Sequence, residues 1–267
     1  MTTMLKLSHV TKTFNKGTVT EKRALTGVNL ELAEGDFVTV IGGNGAGKST
    51  LLNMIAGVYP LDAGTIELDG TDVSRMTEPQ RAKFLGRVFQ DPMRGTAADM
   101  QIAENLALAK RRGQKRGLAW GISAEEKEEY PKLLATLGLG LETRMSAKVG
   151  LLSGGQRQAL TLLMATLTNP KLLLLDEHTA ALDPKTAKKV LDLTEQIVTE
   201  RGLTTLMITH NMNDAIRLGN RLIMMHEGNV IYDVRGEEKK NLTVPDLLQK
   251  FEEVSGGELA NDRMLLS

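Results

Sequence analysis

The chain contains no cysteine, which excludes disulfide staples, cysteine–zinc sites and thiol catalysis, and fits a reducing compartment. It has no excess charge of either sign. Lys plus Arg and Asp plus Glu stand at 33 each, for a net charge of +0. That balance argues against a protein-wide electrostatic grip on nucleic acid, and no nucleic-acid partner is expected. It also lacks any run of about 18 apolar residues, the length a membrane-spanning helix needs. The best apolar stretches, Leu160–Leu167 and Leu172–Leu175, are far shorter. The opening residues, Met1-Thr2-Thr3-Met4-Leu5-Lys6-Leu7, lack the charged-then-apolar order of a signal peptide. No internal repeat or low-complexity tract is evident.

What is present is an ordinary globular composition. The 267 residues are 41% hydrophobic and 25% charged, enough for one large domain or two small ones. Leu5, Leu7 and His9 alternate with Lys6 and Ser8, and Val28, Leu30 and Leu32 repeat the period of a strand. Phe37–Ile41 is a short β-branched run suited to a buried strand, and a glycine-rich loop follows it. Leu51, Leu52 and Ile55 then take helical spacing, with Gly57 as the stop. From about 91 to 150 the chain reads as an all-helical insert, with Asp99 capping one helix and a Ser123/Glu126 capping box opening another. Beyond Leu151 come a helix over about 155–168, a strand Leu172–Leu175, a helix from Pro184 to about Arg201, a strand Thr204–Ile208 and a helix from Met212. Strands alternating with helices predict a parallel or mixed α/β sheet covered on both faces.

Gly42-Gly43-Asn44-Gly45-Ala46-Gly47-Lys48-Ser49 fits G-x-x-x-x-G-K-[ST] in full, between a strand and a helix. Glycines let backbone N–H groups turn inward around phosphate, and the helix start adds its positive dipole end. Lys48 would neutralise β- and γ-phosphates, and the Ser49 hydroxyl would ligate Mg²⁺. Thr50 follows in the same helix start. Leu172–Leu175 ends in Asp176-Glu177. Adjacent strand residues point oppositely, so Asp176 suits the Mg²⁺ shell and Glu177 a general base that polarises water. A dinucleotide-binding G-x-G-x-x-G is absent from this loop, which disfavours a nicotinamide enzyme.

Leu152-Ser153-Gly154-Gly155-Gln156, just upstream of that acidic strand end, is the signature of ATP-binding-cassette (ABC) ATPases. The resemblance extends to Gln90 after Val88-Phe89, to Ala180-Ala181-Leu182-Asp183, to His210 after the strand Leu203–Thr209, and to Phe14 upstream of the phosphate loop. It covers about residues 4–235. It implies a P-loop NTPase fold with an antiparallel β portion and a helical subdomain at about 91–150. The cassette then spans 1–236, and a C-terminal helical extension, with a helix around Asp246–Phe251, spans 237–267. It implies further that Lys48, Gln90, Glu177 and His210 serve catalysis, and that Ser49, Gln90 and Asp176 hold Mg²⁺. Phe14 would stack on adenine, the loop from Gly42 to Thr50 would hold phosphate, and Ser153, Gly154, Gly155, Gln156 and Asp183 would face ATP carried by a second subunit.

The function implied is ATP hydrolysis energising separate transmembrane permease subunits, from a cytoplasmic position on the inner face of the membrane. The stretches Val88–Met93, Asp176–Asp183 and Met224–Gly228 are similar to those of subunits serving aromatic amino acid (tryptophan/tyrosine) importers. Such systems include an extracytoplasmic solute-binding lipoprotein. Three alternatives stand beside this reading: an exporter subunit, a non-transport ABC ATPase acting on ribosomes or DNA, and a P-loop kinase or GTPase. The last would leave Leu152–Gln156 unexplained, and the guanine-reading Asn-Lys-x-Asp is missing.

One position departs from the family pattern. Most members have proline after the base, whereas this chain has His178. Either the loop tolerates the change, or His178 perturbs Glu177 and alters the pH dependence. A basic cluster, Lys110, Arg111, Arg112, Lys115 and Arg116, is either a solvated face or a contact for lipid headgroups or a permease loop. Met207, Met224 and Met225 read as core filling.

Overall fold

The computed structural model describes residues 2–114 and 121–255. In chain order its elements are β1 (Thr3–Phe14), β2 (Lys22–Ala33), β3 (Phe37–Ile41), α1 (Lys48–Ala56), β4 (Ala63–Leu68), β5 (Thr71–Asp72), α2 (Glu78–Arg81), β6 (Leu85–Val88), α3 (Ile102–Lys110), α4 (Ala124–Ala135), a 3₁₀ turn (Val149–Leu151), α5 (Gly154–Thr166), β7 (Leu172–Asp176), α6 (Pro184–Arg201), β8 (Thr205–Ile208), α7 (Met212–Arg217), β9 (Arg221–His226), β10 (Asn229–Arg235), α8 (Gly236–Lys240) and α9 (Val244–Ser255). They fall into two units. One comprises Met1–Arg81 with Gly202–Ser267, the other Ala82–Arg201.

In the first unit, the period-two segments form the antiparallel sheet β2-β1-β4-β5. Leu5 and Leu7 are buried while Lys6 is exposed, as the alternation requires. The alternation does not carry through His9. Its φ is 52°, the register of β1 slips between Leu7 and Val10, and Val10 takes the inner place. This is a β-bulge, which sends one side chain outward and bends the strand. The apolar β3 pairs in parallel with β8 and β9, and β10 returns antiparallel to β9. Every residue of β3 is buried, which explains its unbroken hydrophobicity. Helix α1 ends at Gly57, whose φ of 83° supplies the left-handed cap.

In the second unit, β6 and β7 pair in parallel, Val88 opposite Leu175. Helices α3, α4 and α5 close around a buried cluster that includes Ile102, Leu106, Tyr130, Leu134, Leu160 and Leu163. Helix α4 opens on Ser123 and Glu126 as the capping box predicts. Helix α3 does not open on Asp99. Its cap is Gln101, with Glu104 returning the second bond. Regular helix also covers only part of 91–150. Residues 91–101 run as turns because Asn105 offers that backbone other partners: its Oδ1 accepts from Ala97 N–H at 2.8 Å, and its Nδ2 donates to Ala97 O at 3.1 Å and Gln101 O at 3.0 Å. From α5 to β8 the elements begin and end within two residues of the positions expected from periodicity, whereas the helix expected around Asp246–Phe251 runs from Val244 to Ser255.

Candidate nucleotide-hydrolysing site

The phosphate loop joins β3 to α1. Gly42 has φ 148°, and a Cβ there would stand 2.2 Å from Met225 O; Gly47 has φ 100°, and a Cβ there would stand 2.6 Å from Ala24 O. Only glycine fits either position. The Lys48 ammonium is buried and donates to Gly42 O at 2.7 Å and Gly43 O at 3.1 Å, so it is folded back into the loop it serves. Asn44, Gly45 and Ser49 are exposed, and Thr50 is half-buried in the first turn of α1. A loop whose N–H groups sit at a helix start beside a lysine is suited to oligophosphate.

His210 belongs to the same unit. β3 and β8 pair in parallel with Val40 opposite Ile208, and Thr209 N–H donates to Val40 O at 3.2 Å. His210, half-buried, therefore leaves β8 at the strand end beside the one from which the loop leaves β3. Ligands of α/β sheets gather at such carboxyl ends. Phe14 ends β1, half-buried and edge-on to Tyr59, with ring centroids 5.2 Å apart at 82°. Lys12 Nζ lies 5.6 Å from the Phe14 ring centroid. Two contacts escape a linear reading of the sequence. Tyr59 packs against Phe14, and Lys22 Nζ stands 3.0 Å from where a Cβ on Gly45 would be. Both join segments far apart in the chain, so no local pattern announces them.

In the second unit, Gln90 follows β6 and is exposed, while Asp176 ends the neighbouring β7, Glu177 follows it, and both are half-buried. Asp176 Oδ2 lies 3.8 Å from Arg87 Nη2, and the Arg87 guanidinium stacks 4.4 Å over Phe89. Glu177 holds φ 45°, a left-handed conformation that costs a carboxylate residue about 1–3 kcal/mol and is characteristic of functional positions. Its carbonyl accepts from Ala180 N–H at 3.0 Å. The Ser49 hydroxyl and Asp176 carboxylate are hard oxygen donors of the kind Mg²⁺ takes.

His178 is fully buried, and its Nε2 lies 3.0 Å from Thr194 Oγ1. The Thr194 hydroxyl already donates to Val190 O at 2.8 Å. The bond to His178 is therefore Nε2–H donating to Thr194, which fixes the neutral tautomer. Burial pushes this imidazole down to about 4. His178 is thus a neutral anchor at neutral pH, which removes the reading in which its charge perturbs Glu177 there.

Ser153 caps α5. Its Oγ accepts from Gln156 N–H at 3.3 Å, and Gln156 Oε1 accepts from Ser153 N–H at 3.2 Å. Ser153 and Gly154 are exposed, so the start of a thirteen-residue helix faces outward. Gly155 is buried against α6, and a Cβ there would stand 2.1 Å from Thr186 Cγ2. Asp183 Oδ1 accepts from Thr186 N–H at 3.1 Å and caps α6, with its carboxyl held below the usual range by that threonine. The basic cluster is not an open cationic face over the part described. Lys110 pairs with Glu129, Arg111 with Glu126 at 2.9 Å, and Arg112 donates to Ala165 O at 3.0 Å. Lys115 and Arg116 lie outside the described residues.

The sequence profile of the ABC transporter family matches residues 25–180. The chain is 44% identical to a tyrosine transport ATP-binding protein of Clostridioides difficile (strain R20291), over 93% of this chain and 99% of that one. It is 34% identical to the lipoprotein-releasing system ATP-binding protein LolD 1 of Caulobacter vibrioides, over 88% of this chain and 97% of that one. Among solved structures, it is similar to the dimeric post-hydrolysis state of the ATP-binding cassette MJ0796 bound to ADP and Pi. The TM-score is 0.74 at 30% identity, over 87% of this chain and 98% of that one. Among the described residues, no helix is long and apolar enough to cross a membrane. With its phosphate loop, its acidic strand end and these likenesses, the chain belongs to the ABC transporter family, as an ATP-hydrolysing, ATP-binding subunit.

Proposed function

We propose that this chain energises the import of an amino acid, of the tyrosine or tryptophan class, by closing head to tail on a second copy around two ATP molecules. The observation that carries the reading is the pairing of a glycine-built phosphate loop with an outward-facing helix start at Ser153. Each copy has one of each, so a head-to-tail pair would bring the Ser153 helix of one to the ATP on the loop of the other.

In this reading Phe14 stacks on adenine, and the backbone from Gly42 to Thr50 cradles the phosphates. Lys48 exchanges its two loop carbonyls for β- and γ-phosphate oxygens. Glu177 accepts the proton of the attacking water, and His210 and Gln90 orient the γ-phosphate and that water. Ser153, Gly154, Gly155, Gln156 and Asp183 contact the ATP of the other copy. Ser49, Gln90 and Asp176 would hold Mg²⁺, which when bound neutralises charge on the transferring phosphoryl group. Closure and reopening drive permease subunits from the inner face of the membrane. The residues to 236 form the cassette, with about 91–150 as its helical part, and 237–267 its C-terminal extension. The tyrosine transport relative supports the amino acid class of cargo. An extracytoplasmic solute-binding lipoprotein would complete the system.

Glu177→Gln tests the reading. With Mg-ATP it should bind nucleotide, barely hydrolyse it and run as a dimer on size-exclusion chromatography. Hydrolysis at the wild-type rate would remove Glu177 as the base. A pull-down from solubilised membranes tests the transport half, and recovery of a permease without any solute-binding protein would count against import.

A further inference from the structure

The phosphate loop must hold a fixed shape to bind ATP, yet four of its first six residues are glycine. Its bracing comes from the β9–β10 hairpin. Met225 O fills the space beside Gly42, Gly228 N–H donates to Ala46 O at 3.0 Å, and Gly228 Cα stands 3.3 Å from where a Cβ on Gly47 would be. The hairpin turn is a tight two-residue one, with Asn229 paired to His226. Glu227 and Gly228 have φ of 45° and 76°, two successive positive values as in a primed turn. Thr26 N–H donates to Gly228 O at 3.0 Å and ties the turn to β2.

The other side of the hairpin rests on the C-terminal helix. The Phe251 ring of α9 meets the His226 ring edge-on, with centroids 5.4 Å apart at 79°. Phe251 is 2% exposed and Leu247 is 0% exposed. Both belong to one buried cluster with Met224 of β9 and Ile41, the residue directly before Gly42. Helix α9 thus shares one buried cluster with the residue before the loop and meets, at His226, the strand that leads into the bracing turn. His226 and Glu227 also line a cavity of about 560 Å³ together with Gly43, Asn44, Gly45 and Ala46.

We propose that Phe251 is a positioning residue for nucleotide binding: through His226 and the β9–β10 turn, α9 holds the phosphate loop in its ATP-binding shape. This rests on the phosphate-loop reading above. Loss of the phenyl ring leaves a void in the cluster that holds Ile41 and Met224, and frees the His226 ring. The loop then samples shapes that do not bind, and apparent affinity falls by the fraction lost.

The test is Mg-ATP affinity by calorimetry, with steady-state ATPase kinetics, on the full chain. Phe251→Ala should raise Kd and KM for ATP by about tenfold with kcat within about twofold. His226→Ala should do the same, and the double variant should add little. Phe251→Leu, which keeps apolar volume but loses the ring edge, should fall between and covers the case where Phe251→Ala does not fold. Leu134→Ala, in the separate cluster of α3–α5, should unfold more easily yet keep the wild-type KM. Wild-type affinity in folded Phe251→Ala or Phe251→Leu overturns the proposal, as does an equal rise of KM in Leu134→Ala. A wild-type chain that binds no ATP overturns the nucleotide reading itself.

Discussion

The His178 ring donates its Nε2–H to the Thr194 hydroxyl 3.0 Å away, and the Thr194 hydroxyl donates onward to Val190 O. The loop after β7 is thereby tied to the middle of α6, immediately beyond Glu177 with its left-handed backbone. His178→Gln keeps an N–H donor and should stay within about 1 kcal/mol of the wild type in urea unfolding, whereas His178→Leu loses the bond and should cost about 1–2 kcal/mol. Neither should change the shape of the pH–rate profile between roughly pH 6 and 9, since the ring is neutral there. A shifted limb in His178→Gln would restore a direct electrostatic role.

Gly155 and Thr186 compete for one space. Gly155→Ala puts a Cβ 2.1 Å from Thr186 Cγ2 and should displace α6 from the start of α5, costing about 1–3 kcal/mol. Thr186→Ser removes that methyl and keeps the backbone N–H that Asp183 caps. The double variant should recover most of the loss, and a thermal-unfolding cycle reads the coupling directly.

Arg81 is 1% exposed, and its guanidinium donates to Met54 O at 2.7 Å, Ile55 O at 2.9 Å, Met76 O at 3.0 Å and Ser74 O at 3.3 Å. It satisfies the last carbonyls of the helix that begins at Lys48. Arg81→Met removes the side-chain donor from all four carbonyls, leaving Met54 O with the Gly57 N–H, and should cost about 2–4 kcal/mol. Arg81→Lys should recover only part, because one ammonium cannot reproduce the fork. Chemical denaturation of the three proteins checks the order.

Glu126 joins α4 to α3. Burial raises its carboxyl, but bonds from Ser123 N–H, Arg111 and Tyr130 outweigh that and bring it down to about 2. A carboxyl depressed on folding stabilises fully above its unfolded value near 4.5, and the contribution fades as pH falls toward 2. Glu126→Gln should therefore lower the melting temperature at pH 7 and narrow the gap from wild type as pH is taken below 4. An equal gap at pH 7 and pH 3 would show that folding does not depress this carboxyl.

Much of the fold was legible because its signals are local. Phe37–Ile41 is buried on both faces and needs no alternation, Gly57 stops α1 with a positive φ, and Ser123 with Glu126 opens α4. Misreadings arose where a distant or unusual partner replaced the local one. His9 left the inner face at a bulge, Asp99 yielded the cap to Gln101, and the Asn105 side chain held residues 91–101 out of helix. Lys110, Arg111 and Arg112 read as an open basic patch because their partners, Glu129, Glu126 and Ala165, come from other turns of the chain.

The sequence by itself determined the chemistry. A glycine-lysine-serine loop, two carboxylates closing an apolar strand and the Leu152–Gln156 signature each need only neighbouring residues, because phosphate cradling and helix capping are short-range. Tertiary structure alone decided what holds those groups in place. Met225 O beside Gly42, Thr186 against Gly155, Thr194 beside His178 and Phe251 edge-on to His226 are contacts between segments apart in the chain. Close packing sets them, and close packing has no signature in any single stretch of sequence.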